Sequence, residues 1–224
     1  KVLEAVTQRF PELLLEGCSG GGGRFDAGML YYCPQIWCSD NTDAIERLRI
    51  QYGTSFGYPM SSVSAHVSVC PNHQNHRVTP FKTRGICAMQ GTFGYELDLS
   101  KMTDEEKKMA GEQIAFFKEH GRLFQFGDYY RLTSPFENRD YTVWEYAAQD
   151  GSEACMSVVY TDMYANAASE IVKWKGLDPK KVYQMQLDGE DAGNFSGAAL
   201  MHAGILLPLP EQNYDAFQIY LKAE

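Results

Sequence analysis

The sequence has no apolar run near the roughly 18 residues of a membrane-spanning helix, and its N-terminus lacks the basic-then-apolar pattern of a signal peptide. It also has no excess of basic residues. The formal net charge is −9, and Lys and Arg are scattered rather than clustered beside aromatic residues. Because a negative chain repels a phosphate backbone, we expect neither a membrane nor nucleic acid as a partner.

Cysteine is sparse as well. The six cysteines of the 224-residue chain include no Cys-x-x-Cys pair, so they are not the framework of a small disulfide-stapled domain. We therefore expect reduced thiols and a cytoplasmic location. Apolar residues make up 44% of the chain, which is enough to bury a sizeable core.

Strand-like and helix-like segments alternate over residues 1–132, which predicts an α/β region with a parallel sheet. The clearest helix begins at Thr103-Asp-Glu-Glu106, which has the form of a capping box. Another helix is expected from Asp43 to Gly53, where the glycine is a typical terminator. The predicted strands are Leu13–Glu16, Gln35–Ser39, Ser62–Val69 and Thr92–Leu99.

The pattern changes in residues 133–224, which we expect to form an antiparallel β domain. Two β-rich runs, Thr142–Gln149 and Glu153–Thr161, flank Asp150-Gly151, which is a strong hairpin signal. At the other end, the first ten residues have helical apolar spacing with neither a cap nor an initiator Met. These features predict that the chain is part of a larger protein.

A run of four glycines, Gly20–Gly23, follows the first predicted strand. It lacks the Lys-Ser/Thr of a phosphate-binding Walker loop, and Phe25 stands where a dinucleotide fingerprint needs a third glycine. Two interpretations remain. The run is a flexible turn, or its backbone approaches a ligand closely and lines a tight pocket together with Cys18.

Asp40 and Asp43 follow the second predicted strand and precede a helix. In the structural interpretation, one or both carboxylates cap the helix and complement its dipole. In the functional interpretation, a carboxyl beside Trp37 serves as a general acid, as in glycoside hydrolysis. Residue chemistry alone leaves both open.

His66, Cys70, His73 and His76 include enough metal-binding side chains to suggest a zinc-dependent hydrolase. Their spacing matches no strong zinc pattern, and His66 falls on a predicted strand while His73 and His76 fall in the loop after it. We expect His66 to line a pocket or the core, and no metal site.

Several of these motifs, taken together, closely resemble the bacterial retaining α-galactosidases of glycoside hydrolase family 36. The resemblance covers essentially the whole chain. The motifs that carry it are Cys18-Ser-Gly-Gly-Gly-Gly-Arg-Phe-Asp-Ala-Gly-Met-Leu-Tyr-Tyr32, Pro34-Gln-Ile-Trp37, Ser39-Asp-Asn-Thr-Asp-Ala-Ile-Glu-Arg-Leu48, His66-Val-Ser, Pro71-Asn-His-Gln74 and Gly94-Tyr-Glu-Leu-Asp-Leu99.

The resemblance implies a fold and a site. Residues 1–132 would be the C-terminal half of a catalytic (β/α)8 TIM barrel, and residues 133–224 an antiparallel β-sandwich domain. Asp40 would be the general acid/base, and the substrate site would include Cys18, Ser19, Gly20 and Gly21. The family needs no cofactor, its members are typically tetramers, and the implied substrates are α-galactosides such as melibiose and raffinose.

One part of the family pattern is missing. The nucleophilic Asp of these enzymes belongs to a Lys-Trp-Asp-x-Asn-Arg motif on an earlier barrel strand, and the chain contains no such motif. We therefore expect the chain alone to be inactive. The alternative is a non-catalytic module that binds sugar or supports assembly. Cys18 beside small glycines favours galactose over N-acetylgalactosamine.

Overall fold

The computed structural model describes all residues 1–224. The helices are α1 (Val2–Arg9), α2 (Ser19–Gly22), α3 (Ala27–Leu30), α4 (Ala44–Thr54), α5 (Phe81–Ala88), α6 (Asp104–Glu119), α7 (Gly121–Phe126) and α8 (Gly197–His202). The strands are β1 (Glu16–Gly17), β2 (Gln35–Trp37), β3 (Val63–Ser68), β4 (Thr92–Glu96), β5 (Asp128–Arg131), β6 (Tyr141–Ala147), β7 (Glu153–Tyr160), β8 (Ile171–Val172), β9 (Val182–Leu187), β10 (Glu190–Ser196), β11 (Ile205–Leu206) and β12 (Ala216–Ala223). None of the helices combines the length and the apolarity that crossing a bilayer requires.

The first half of the chain is a four-stranded parallel sheet in the order β1-β2-β3-β4, with helices between successive strands. Neighbouring strands follow one another in the sequence, as they do in the wall of a (β/α)8 barrel. Both β1 and β4 have a single neighbouring strand, so each leaves one edge without a partner. The predicted half barrel is confirmed.

The strand β3 shows how the sheet separates a core face from a polar face. Val63, Ala65 and Val67 are buried and pack with residues of the helices. Because side chains alternate along a strand, Ser64 and His66 point to the opposite face, which a closed barrel encloses.

The second half contains a six-stranded antiparallel sheet in the order β10-β9-β12-β7-β6-β5 and a two-stranded sheet of β8 and β11. The β6–β7 hairpin predicted at Asp150-Gly151 forms, with Ala147 paired to Ala154. Val143 and Met156 of the large sheet share one buried cluster with Val172 of β8 and Leu207, which directly follows β11. The small sheet therefore packs on one face of the large sheet. This is the expected antiparallel sandwich.

The other face of the large sheet packs on the half barrel. Trp144 and Tyr220 belong to the same buried cluster as Leu48 of α4, Ile86 of α5 and Phe124 of α7. The two halves therefore share this buried cluster, in addition to a cluster of their own in each half. The β domain supports the helices behind the parallel sheet.

Several expectations at element ends differ from the structure, and the second and fourth strands end at Trp37 and Glu96 rather than at Ser39 and Leu99. The first strand is Glu16–Gly17 rather than Leu13–Glu16, and Leu14 is 84% exposed because this edge has no neighbour to cover it. Helix α4 continues through Gly53 to Thr54. The strand β5 precedes the predicted boundary at residue 132 but pairs with β6, so the boundary itself stays a prediction.

Candidate functional site

Asp40 lies just beyond the C-terminal end of β2, where enzymes with parallel barrels carry their catalytic groups. Its side chain is exposed, and its Oδ1 accepts a hydrogen bond from Trp37 Nε1 over 3.0 Å. No other side-chain hydrogen bond to this carboxylate is present, so Oδ2 remains available for proton transfer.

Trp37 is held rigidly, which fixes the donor that Asp40 uses. The indole is 7% exposed and stacks on the His66 ring at 4.3 Å with an interplanar angle of 8°. The Arg47 guanidinium carbon lies 4.1 Å from the centre of the indole. Arg47 also donates to the carbonyl oxygens of Ser39 and Ser64 over 2.9 Å each, which ties α4 to the segment after β2 and to β3.

The interior below Asp40 is desolvated. Burial raises the pKa of the Cys38 thiol, which keeps this thiol protonated, and burial lowers the pKa of the Arg47 guanidinium. Cys38 therefore does not supply a second negative charge beside the carboxylate.

The glycine loop packs directly on Asp40. The short element α2 is a left-handed turn within this loop rather than a regular α-helix, because Gly20, Gly21 and Gly22 have positive φ angles of 67°, 74° and 86°. A Cβ at Gly21 would lie 2.7 Å from Asp40 N and 3.1 Å from Asp40 Oδ2, and one at Gly22 would lie 2.6 Å from Cys38 O. The close backbone approach expected of this run is therefore present, although the partner seen here is the Asp40 loop.

The remaining candidate residues of this loop lie at its start. Cys18 and Ser19 are exposed, and Ser19 itself has a positive φ of 57°. Gly22 N–H donates to Cys18 O over 2.9 Å, which closes the turn. The fold thus brings the loop of Cys18, Ser19, Gly20 and Gly21 and the carboxylate of Asp40 into one corner of the sheet.

Asp43 has the structural role that sequence reasoning left open. Its Oδ2 accepts from Glu46 N–H over 3.0 Å at the N-terminus of α4, and it forms an ion pair with Arg77. It is 1% exposed. The capping interpretation is therefore correct for Asp43, whereas Asp40 makes no capping contact.

Further polar residues face Asp40's side of the sheet, and of these the sequence analysis selected only His66, as a residue that lines a pocket or the core. His66 Nδ1 lies 2.8 Å from Glu96 Oε2, and Ser64 Oγ donates to Glu16. The alternation of Ser64, His66 and Ser68 with apolar residues on β3 was the available signal. These groups form the polar inner wall of the half barrel.

The four residues that were considered as zinc ligands form no cluster in the structure. No group of three or more His, Cys, Asp or Glu side chains is arranged to hold a metal ion. His66 pairs with Glu96, Cys70 Sγ lies 3.6 Å from Thr79 O, and His73 and His76 are exposed on the loop after β3. The metal-dependent hydrolase therefore has no geometric support.

Two family profiles match the chain. The Melibiase profile matches residues 1–127, and the profile of the glycosyl hydrolase family 36 C-terminal domain matches residues 141–221. Among curated proteins, the bifunctional alpha-galactosidase/sucrose kinase AgaSK of Mediterraneibacter gnavus is 54% identical over 96% of the chain and 23% of its own length. Alpha-galactosidase AgaA of Geobacillus stearothermophilus is 49% identical over 100% of the chain and 30% of its own length.

Solved structures agree with these matches. The AgaA variant A355E D548N, in a complex with raffinose, superposes with a TM-score of 0.94 at 48% identity, covering 100% of the chain and 30% of that protein. The variant A355E D478A with stachyose gives a TM-score of 0.95 at 49% identity, with the same shares of the two chains. The chain therefore spans less than a third of the length of these relatives.

Proposed function

The chain belongs to glycoside hydrolase family 36, and from this premise we propose that it is the second half of the barrel and the C-terminal domain of a retaining α-galactosidase. The longer protein that would contain it is called the full-length protein. The observation that carries the proposal is the environment of Asp40, which is an exposed carboxylate at a strand end, held by Trp37 and packed against the backbone of Gly21.

In this proposal Asp40 is the general acid/base. It protonates the glycosidic oxygen as the bond to the anomeric carbon breaks, and it then removes a proton from the water that attacks the galactosyl intermediate. The Trp37 indole orients the carboxylate through Oδ1, which leaves Oδ2 to carry the proton. The exposed position of Asp40 gives both the leaving group and water access to it.

In this proposal the second carboxylate comes from outside this chain. Retaining glycosidases place two carboxyl groups about 5–5.5 Å apart, one of which attacks the anomeric carbon. The family nucleophile follows a Trp, but the three tryptophans of this chain are followed by Cys38, Glu145 and Lys175. The missing barrel strands of the full-length protein would pair with the edges of β1 and β4 and supply the nucleophile.

The glycine loop would bind the galactose. Cys18 and Ser19 are exposed and would offer side chains to the sugar hydroxyls, Gly20 leaves open space for the ring, and Gly21 would contribute its backbone. We assign plain galactose rather than N-acetylgalactosamine because Cys18 narrows the pocket. Terminal α-galactosyl groups of raffinose, stachyose and melibiose are the proposed substrates, since solved relatives carry raffinose and stachyose.

The proposal extends to assembly and location. The family resemblance favours a homotetramer for the full-length protein, and six free thiols favour a cytoplasmic location. Light scattering of the purified full-length protein measures its oligomeric state. Fractionation of the native cells measures its location.

The experiment compares hydrolysis of p-nitrophenyl α-galactoside by this chain, the full-length protein and its Asp40→Ala variant. We expect full activity only from the full-length protein, a low kcat for its Asp40→Ala variant and no turnover by this chain. Turnover by this chain alone would contradict the assignment of the nucleophile to the missing strands. Galactose binding without turnover by this chain would identify it as the sugar-binding part of the site.

A further inference from the structure

The loop between β3 and α5 lies against the loop that carries Asp40. We propose that Gln74, in the β3–α5 loop, is a positioning residue that fixes the backbone of the general acid/base. The proposal rests on the proposed function, because Gln74 acts through Asp40.

One amide side chain joins the two loops. Gln74 Nε2 donates to the carbonyl oxygen of Asp40 over 3.0 Å, and Thr42 N–H donates to Gln74 Oε1 over 3.1 Å. Neither backbone group has another hydrogen-bond partner in the chain. Because Asp40 and Thr42 lie between β2 and α4, Gln74 supplies the bonds that regular secondary structure would provide.

Gln74 is itself held in place. The buried Asn72 accepts from Gln74 N–H through its Oδ1 over 2.9 Å, and its Nδ2 donates to Thr42 Oγ1 over 3.0 Å. Asn72 thus orients Gln74 and binds the same Asp40 loop. A buried residue therefore anchors the hydrogen bonds that Gln74 makes between the two loops, although the Gln74 side chain itself is exposed.

The far end of the Asp40 loop is fixed by contacts that do not involve the Gln74 side chain. Asp43 is buried, caps α4 and forms an ion pair with Arg77, which follows Gln74 in the β3–α5 loop. Loss of Gln74 therefore leaves the helix start intact and frees mainly the backbone at Asp40. Since the Asp40 side chain has one hydrogen bond, from Trp37, the direction of its carboxylate depends on that backbone.

A positioning role differs measurably from a general structural role. Raffinose has a poor leaving group that needs a proton from Asp40, whereas p-nitrophenolate departs with little help. A misplaced acid therefore lowers kcat/KM for raffinose more than kcat/KM for p-nitrophenyl α-galactoside. A collapsed pocket lowers both values equally.

The test uses Gln74→Ala in the full-length protein, with Val78→Ala as the matched control. Val78 lies in the same loop and is 65% exposed. For Gln74→Ala we expect kcat/KM to fall roughly 10- to 100-fold on raffinose and less than about threefold on the aryl galactoside. Val78→Ala should leave both values unchanged, and thermal unfolding of both variants reports their folding.

Equal losses of Gln74→Ala on the two substrates, or no loss, would overturn the positioning role. If Gln74→Ala does not fold, Gln74→Glu provides the second variant, because it keeps the oxygen that accepts from Thr42 and removes the donor to Asp40. The same selective loss on raffinose is expected for it, and its absence counts against the proposal. Asp40→Ala is measured in parallel, and if that variant loses nothing on raffinose, the proposed function fails separately.

Discussion

Replacing Gly21 by Ala tests the contact between the glycine loop and the acid/base most selectively. An alanine Cβ at this position meets Asp40 N at 2.7 Å, so the two loops must separate by about 0.7 Å to reach an ordinary 3.4 Å contact. The φ of +74° adds strain of roughly 1–2 kcal/mol for a residue with a Cβ. A displacement of about 1 Å at a reacting group costs on the order of 100-fold in rate.

We therefore expect Gly21→Ala in the full-length protein to lower kcat on raffinose roughly 10- to 100-fold. The control is Gly189→Ala, because Gly189 has a φ of +87° and no atom within 4 Å of its Cβ position. It carries similar backbone strain in the turn between β9 and β10, away from the site. Both variants should melt at lower temperature, and only Gly21→Ala should lose activity. Full activity of Gly21→Ala would refute the close contact.

Two further predictions concern the indole that holds Asp40 and a buried carboxyl of the β domain. Trp37→Phe keeps an aromatic ring on His66 but removes the donor to Asp40 Oδ1. The loss of one charge-assisted hydrogen bond of about 1.5 kcal/mol predicts a roughly tenfold fall in kcat/KM on raffinose. Unchanged kinetics of the variant would contradict this role of Trp37. Burial raises the pKa of Glu145 from 4.5 to about 8, so the folded protein favours the protonated carboxyl. The free energy of unfolding therefore falls as the pH rises through this window, by about 1.4 kcal/mol per pH unit at most. Glu145→Gln removes this charge. Between pH 5 and pH 8 the unfolding temperature of the variant should therefore rise relative to that of the native protein. A difference in unfolding temperature that does not change with pH would contradict the burial of a titrating carboxyl at Glu145.

Local sequence patterns predicted much of the fold. The capping box at Thr103 and the hairpin at Asp150-Gly151 form as expected, because each depends on contacts between residues close in sequence. The strand β5 was not expected in the antiparallel sheet, since Asp128–Arg131 is recognised as a strand mainly through its pairing with β6. Such long-range pairing leaves little local signal.

In the candidate site, too, local sequence patterns predicted some features, whereas contacts between residues distant in sequence were not predictable. Asp40 and Asp43 carry the same side chain three positions apart, and only the structure assigns Asp43 to the helix start, through the hydrogen bond from Glu46 N–H and the ion pair with Arg77. The glycine run indicated a close backbone approach, but the partner at Gly21 became visible only in three dimensions. Gln74 belongs to the Pro71-Asn-His-Gln74 motif, but its role was not predicted, because its contacts with Asp40 and Thr42 join residues more than thirty positions apart.

The most direct test of the central claim is azide rescue of Asp40→Ala in the full-length protein. Azide is an anionic nucleophile, so it attacks the galactosyl intermediate without a general base. With p-nitrophenyl α-galactoside as substrate, we predict a low kcat for the variant that rises strongly with azide concentration. A kcat that does not respond to azide, or native activity without it, would contradict Asp40 as the acid/base.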